Sequence, residues 1–252
     1  MTVDVGDTDG VRIVSLNRPQ RHNAMDDETG AAFSKAFAEA AADNSVKVIL
    51  LRGEGPSFCS GRDVSQLGQR AGGESDYVFV RASQEHRLAI FDCIKPVIAA
   101  VKGHVLGGGL EMALSADIRI ASTDLRMAFP EIRYGLMTDT GGSPLTTMLA
   151  GPSRAKLMLM TGRAIDAQRA LAWGMVDEVV EPDELDETAL NLCREIAGNS
   201  ELSVASIKQI VNENYYGAVH AGVRAELLAQ VALFSSPEYL ELKKQRQAAK
   251  KG

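Results

Sequence analysis

The sequence predicts an α/β core followed by a helical extension, and three observations carry that reading. An apolar run that ends in a glycine-bearing turn and feeds a helix occurs twice, first from Val46 and again from Pro96. From Pro182 onward, helical patterns succeed one another with no strand signal between them. The 252 residues are 45% apolar and 24% charged, a composition that suits a soluble domain large enough to bury a full core. The change of pattern falls near 190–200, which gives a core over 1–195 and a helical region over 196–252.

The elements follow in order. Residues 11–16 alternate between apolar and polar and stop at Asn17-Arg18-Pro19, which reads as a strand broken by a turn. Asp26 or Asp27 can cap a helix that runs to about Ala42, with Phe33 and Phe37 on its inner face. A short buried strand over 46–51 leads through Gly53-Glu54-Gly55-Pro56 to the turn Phe58-Cys59-Ser60-Gly61-Arg62-Asp63-Val64. The glycine-rich stretch 68–76 reads as a loop that shapes a pocket, and a helix follows from about Asp76 to Cys93. The strand Pro96-Val97-Ile98-Ala99-Ala100-Val101 then feeds Gly103-His104-Val105-Leu106-Gly107-Gly108-Gly109-Leu110-Glu111, which opens the next helix. A strand over 117–121 comes next, then the segments 127–131 and 135–142, then helical patterns through Leu149, over 152–160 and over 164–173, the last opened by Asp166. The last strand is read at 175–180, and the extension holds helices at about 182–197, 203–216, 220–234 and 237–247.

Composition also narrows function. Cys59, Cys93 and Cys193 are too few and too scattered for a disulfide framework or a thiolate metal site, which suits a reducing cytoplasm. His22, His86, His104 and His220 never fall at ligand spacing, so no metal is expected. The N-terminus carries acids where a signal peptide would carry bases, and no apolar run reaches spanning length, so no membrane association is expected. A net charge of -6 argues against nucleic acid as a partner. The tail is locally basic through Lys243, Lys244, Arg246, Lys250 and Lys251, which reads either as a solvated helix end or as a contact for phosphate.

The chemistry concentrates in the two glycine turns. Glycine permits unusual dihedrals and close approach, and amides at a helix N-terminus point outward with partial positive charge. The backbone amides of Arg62 and Gly108 can therefore converge on one oxygen as an oxyanion hole, an arrangement that suits a thioester carbonyl becoming an enolate. A tight packing turn is the competing reading; a phosphate cradle lacks its Gly-Lys-Ser/Thr ending. Three carboxylates lie in candidate turns, Glu111, Glu131 and Asp139, and crowding in one dry pocket would leave at least one protonated near neutral pH. Alone, each would be a helix cap, a surface acid or an Asx-turn. No GxSxG elbow is present, and Cys59 sits in an apolar context that suits a structural thiol.

Taken together, Leu16-Asn17-Arg18-Pro19, Asn23-Ala24-Met25, Phe58-Cys59-Ser60-Gly61-Arg62-Asp63, Lys95 to Val101, Gly107-Gly108-Gly109-Leu110-Glu111, Ala116-Asp117-Ile118-Arg119, Phe129-Pro130-Glu131, Thr161-Gly162-Arg163 and Trp173-Gly174-Met175-Val176 resemble the crotonase, or enoyl-CoA hydratase/isomerase, superfamily over nearly the whole chain. The resemblance implies a spiral of strand-strand-helix repeats and a C-terminal helical region used in a homotrimer, often doubled to a hexamer. It implies an acyl-CoA substrate with no separate cofactor, its thioester oxygen held by the amides of Arg62 and Gly108 and its surroundings lined by Ser60, Gly61, Asp63 and Gly107. In the hydratase branch, two glutamates at the positions of Glu111 and Glu131 activate water and deliver a proton to the α-carbon. Lys243 and Lys244 correspond to basic residues near CoA phosphates.

Asp139 departs from the hydratase pattern, which carries glycine in that turn where this chain has Thr138-Asp139-Thr140-Gly141-Gly142. An acid there resembles the dienoyl-CoA isomerase branch, in which it shuttles protons with the acid at the Glu131 position, but that branch carries Asp where this chain has Glu111. The 4-chlorobenzoyl-CoA dehalogenase branch also has an Asp there, with an aromatic residue in place of Glu131. The expected reaction is hydration of an enoyl-CoA, with double-bond isomerisation through Glu131 and Asp139 as the alternative. Behind these stand aryl-CoA dehalogenation and a non-catalytic acyl-CoA binder with RNA affinity through the basic tail.

Overall fold

The computed structural model describes residues 1–66 and 73–249. The chain begins as a hairpin, β1 (Val3–Thr8) antiparallel to β2 (Val11–Leu16), turned at Asp9-Gly10 with φ of 52° and 78°. Positive φ at both turn residues matches the right-handed twist of the strands it joins. The sequence reading lacks β1 because its middle residues, Asp4, Gly6 and Asp7, disfavour strands; β1 sits at the sheet edge, where pairing with β2 rather than propensity decides.

Helix α1 (Asp27–Ala42) starts where expected: the Asp26 side chain accepts from the Thr29 amide at 2.8 Å, a cap worth about 1 kcal/mol. Phe33 and Phe37 face the core with ring centroids 4.7 Å apart. Strand β3 (Val48–Gly53), helix α2 (Asp76–Phe91) and strand β4 (Val97–Val101) follow, and every residue of β4 is buried. The chain then forms β5 (His104–Leu106), α3 (Gly108–Ser115), β6 (Ile118–Ser122) and β7 (Arg126–Ala128). A 3-10 turn at Pro130–Tyr134 precedes α4 (Gly142–Ala150), α5 (Pro152–Thr161), β8 (Ile165–Asp166), α6 (Ala167–Ala172) and β9 (Glu178–Val180).

The strands form a six-stranded sheet in the order β1-β2-β3-β4-β6-β9, parallel beyond the first pair, and a small sheet in the order β5-β7-β8. The short strands β5, β7 and β8 are too brief to carry a period, so the sequence shows them only as turns or as a helix start. The expected last strand at 175–180 is confined to Glu178–Val180.

Helices α7 (Leu185–Ala197), α8 (Glu201–Glu213), α9 (Tyr216–Phe234) and α10 (Pro237–Ala249) complete the chain. Leu185, Ala189 and Cys193 of α7 pack against Val48, Leu50, Ile98 and Ile120 of the sheet, so a seam drawn at residue 195 cuts a helix that covers the core. Helix α9 packs on α2 and α4, and α10 on the 3-10 turn, so the helical region folds back over the core. No helix among the described residues is long and apolar enough to cross a membrane. Gly68 and Gly72 of the expected pocket loop, and Lys250 and Lys251 of the basic tail, lie outside the described residues.

Candidate active site

The two glycine turns meet because their strands pair. The segment at Cys59 runs parallel to β5, with the Cys59 amide donating to the His104 carbonyl at 3.1 Å and the Leu106 amide to the Cys59 carbonyl at 3.0 Å. Arg62 and Gly108 each lie three residues beyond the bridged pair Cys59 and Val105, so the parallel register carries both amides to the same place. Neither amide donates to an acceptor among the described residues. Gly61, at φ 86°, allows the approach: a Cβ there would stand 2.7 Å from the Leu106 carbonyl oxygen and 3.3 Å from the Gly108 nitrogen.

Beside these amides lies a cavity of about 310 Å3 lined by Ser60, Gly61, Arg62, Gly107, Gly108, Glu111, Glu131 and Asp139, all residues the sequence singled out. Asp63 does not join them. Its carboxylate is 5% exposed and turns to Arg18, Arg21 and Ser65, so it fixes the base of the turn rather than facing the cavity. Lys243 and Lys244 are on α10 and outside the cavity; the Lys243 ammonium lies 5.9 Å over the Tyr239 ring. Cys59 is fully buried and donates to the Asn23 carbonyl, and burial pushes its thiol up to about 11, so it is a packed structural group.

Glu111 is 1% exposed, on the first turn of α3. Its Oε1 accepts from the amides of Thr140 at 2.7 Å, Asp139 at 3.0 Å and Gly142 at 3.3 Å, and its Oε2 accepts from Arg87 Nη1 at 2.6 Å. Burial raises it to about 7, with the Arg87 charge pulling it down and Asp139 and Glu226 pushing it up. Glu131 enters from the 3-10 turn, anchored by buried Phe129 and started by Pro130. A Cβ on Gly107 would collide with Glu131 Oε1, so that position must be glycine for the carboxyl to occupy this place. Glu131 Oε2 is buried without a partner among the described residues, and burial followed by the nearby Glu111 lifts this carboxyl to about 8.

Asp139 accepts from Arg87 Nη1 and from the Thr140 hydroxyl, both at 3.0 Å. Arg87 also donates to the Thr140 hydroxyl at 2.8 Å. Burial opposes its charge, but the carboxylates of Asp139 and Glu111 outweigh that and hold Arg87 above its ordinary value.

Arg87 is absent from the sequence reading, as are the residues that brace the Asp139 turn from two helices. From α9, Glu226 accepts from the Gly141 amide at 2.6 Å, the Ser143 amide at 2.7 Å, the Ser143 hydroxyl at 2.5 Å and the Thr138 hydroxyl at 2.8 Å. Gln230 accepts from the Met137 amide at 3.2 Å, and from α2 Gln84 donates to the carbonyls of Asp139 and Val223. A signal existed: Val219, Val223, Glu226, Leu227 and Gln230 follow helical spacing, which places an acid and an amide on the buried stripe. Buried polar groups need partners, so such a stripe announces a polar surface beneath it. Among the described residues no group of three or more His, Cys, Asp or Glu side chains could hold a metal ion.

The chain is similar to known proteins over most of its length. A profile described as "Enoyl-CoA hydratase/isomerase" matches residues 6–247. The chain is 34% identical over 236 residues to a short-chain-enoyl-CoA hydratase of Clostridium acetobutylicum, covering 90% of this chain and 87% of that protein. It is 35% identical over 212 residues to a carnitinyl-CoA dehydratase of Salmonella arizonae, covering 84% of this chain and 80% of that one. Among solved structures, an enoyl-CoA hydratase/isomerase from Xanthobacter autotrophicus superposes with a TM-score of 0.90 at 29% identity, covering 98% of this chain and 93% of that chain. An enoyl-CoA hydratase from Mycobacterium tuberculosis gives 0.83 at 33% identity, covering 94% and 100%.

Proposed function

The chain belongs to the enoyl-CoA hydratase/isomerase family, and from that premise we propose that it adds water across the double bond of an enoyl-CoA thioester. The observation that carries the proposal is the meeting, in one cavity, of two acceptor-free amides with two carboxyls of unequal basicity. The amides of Arg62 and Gly108 hold the thioester oxygen and stabilise it as charge develops on it in the enolate. Glu111, held as an anion by three amides and Arg87, takes a proton from water as the oxygen attacks the β-carbon. Glu131, with no cationic partner among the described residues and protonated up to about 8, delivers a proton to the α-carbon. Coenzyme A is part of the substrate, and no further cofactor enters these steps.

One observation favours the isomerase as second reading: Asp139 faces the same cavity as Glu131, so a proton can pass between two carbons without water being added. Reaction in water labelled with heavy oxygen separates the two. Label in the acyl product supports hydration, and turnover of a 3-enoyl-CoA without label replaces it with isomerisation.

The same reading extends to assembly and location. Helix α8 leaves Leu202, Ile207 and Ile210 exposed, which suits burial in a homotrimer or hexamer, and three free buried cysteines suit the cytoplasm. With Lys243 and Lys244 outside the cavity, any role they have with CoA lies at its phosphates.

A further inference from the structure

A second cavity, of about 280 Å3, lies against the first, and Arg62, Phe79, Ser83 and Arg87 line both. This shared wall is rich in donors that lack acceptors. All three hydrogen bonds of Arg87 leave from Nη1, so Nε and Nη2 have no partner among the described residues. Arg62 bonds Asp27 through Nη2 at 2.8 Å, while its Nε is buried with no partner among the described residues. The Ser83 hydroxyl, on α2 one turn before Arg87, also has none among the described residues. Arg87 stands beside the reacting end of the site: its guanidinium carbon would be 3.2 Å from a Cβ built on Gly108.

Hydrocarbon laid over this wall would leave those donors unsatisfied, whereas an oxygen on the acyl group would answer them. The charges around the wall decide what kind of oxygen. Asp26, Asp27, Glu74, Glu111 and Asp139 line the two cavities against three guanidiniums, those of Arg62, Arg87 and Arg133, with Glu131 protonated beside them, so a further carboxylate meets an already acidic surface. We propose, resting on the acyl-CoA reading above, that the substrate's acyl group carries an uncharged oxygen function, a ketone or hydroxyl, which the free edge of Arg87 receives with Arg62 and Ser83. Arg87 would then divide its donors, with Nη1 kept for Glu111 and Asp139 and the opposite edge given to the substrate. Specificity and the placement of the base would share one side chain.

Calorimetric titration of the full chain with saturated acyl-CoA thioesters tests this without turnover. The probes are hexanoyl-CoA, its 4-oxo and 5-oxo derivatives, and adipoyl-CoA. The expected result is that one oxo thioester binds at least tenfold more tightly than hexanoyl-CoA and adipoyl-CoA binds no better. In Arg87→Met the preference falls below twofold, and Ser83→Ala, which leaves the ion pairs of Arg87 intact, lowers the preference by a smaller factor. Equal binding of hexanoyl-CoA and both oxo thioesters overturns the proposal and leaves the acyl-CoA reading standing. Tightest binding of adipoyl-CoA overturns the uncharged assignment in favour of a carboxylate. If no thioester binds, the acyl-CoA reading itself fails and this proposal with it.

Discussion

The two walls of the cavity are built by different means. The amide wall, formed by the turns at Arg62 and Gly108, is held by backbone: parallel pairing of Cys59 with Val105 fixes it, and glycines let the strands approach. The acid wall is held by side chains: Glu111, Glu226, Gln84, Gln230 and Arg87 clamp the turn that carries Asp139 from three separate helices. Within that wall Glu131 is the exception, since one of its oxygens is buried with no partner among the described residues. A backbone-built wall tolerates change in the side chains it carries and yields to loss of an N–H or to a Cβ added at its close-packed glycines. A side-chain-built wall should fail one clamp at a time, and its unclamped member should be the most reactive.

The largest effect is expected at that unclamped member. Glu131→Gln keeps the shape but cannot give up a proton, so kcat should fall roughly 10^3-fold with little change in KM. The wild-type pH profile of kcat/KM should be a bell, because Glu111 must be ionised, above about 7, while Glu131 must be protonated, below about 8. Stability should move in a related way. Both carboxyls titrate above the ordinary 4.5, so their contribution to folding is complete below that value and is lost as pH rises through about 7 and 8. Glu131→Gln should therefore melt higher than wild type at pH 9 and alike at pH 4. A lower melting temperature at pH 9 would mean that the buried oxygen does have a partner.

The amide wall should respond to a change that removes no side chain. Gly108 occupies the first position of α3, where proline is accepted by the helix, so Gly108→Pro deletes the N–H with little cost to the helix itself. The expected loss in kcat is about 10^2-fold beyond that of Gly108→Ala, which brings the same Cβ within 3.2 Å of the Arg87 guanidinium but keeps the N–H. An unchanged kcat would remove Gly108 from the oxygen-binding pair.

A smaller effect is expected from a clamp that never touches the cavity. In Glu226→Gln, one carboxylate oxygen becomes an NH2 group that must face an amide or hydroxyl donor of the 138–143 turn. Stability should drop by about 1–3 kcal/mol, since a buried pair is left unmatched. Movement of the turn should cost about tenfold in kcat. Denaturant unfolding and steady-state rates measure both, and a variant that is destabilised with full activity would show that the turn needs no such clamp.

The same division explains what the sequence disclosed. The amide wall was legible because it is local: Ser60-Gly61-Arg62 and Gly107-Gly108-Gly109 each combine a strand end, a glycine turn and a following residue in one short stretch. Two helices were legible through their caps, Asp26 and Asp166, and the others through the spacing of their apolar residues. The acids could be named but their relations could not, because Arg87, Glu111 and Asp139 lie 24 and 52 residues apart along the chain and meet only through packing. Glu226 is more distant still from the turn it braces, and its position on a buried helical stripe was the single local trace. Asp63 was misplaced for the opposite reason. It stands in the right turn, but side chains alternate there, and its carboxylate points back to Arg18 and Arg21.

Asp139 gives the finest test, because two roles for it predict opposite outcomes. Its carboxylate competes with Glu111 for Arg87 Nη1 and raises the affinity of both Glu111 and Glu131 for protons. If it only shapes the field, Asp139→Asn leaves Arg87 to Glu111 alone and makes both carboxyls more acidic. Both limbs of the pH profile should then move to lower pH, with hydration at the new optimum reduced by about threefold or less. If it carries protons, the amide cannot replace it, and conversion of a 3-enoyl-CoA to its conjugated isomer should vanish while incorporation of labelled water oxygen persists. The unequal hold on the two glutamates favours the first outcome: a hydratase needs one held base and one free acid, and Glu111 and Glu131 already supply them.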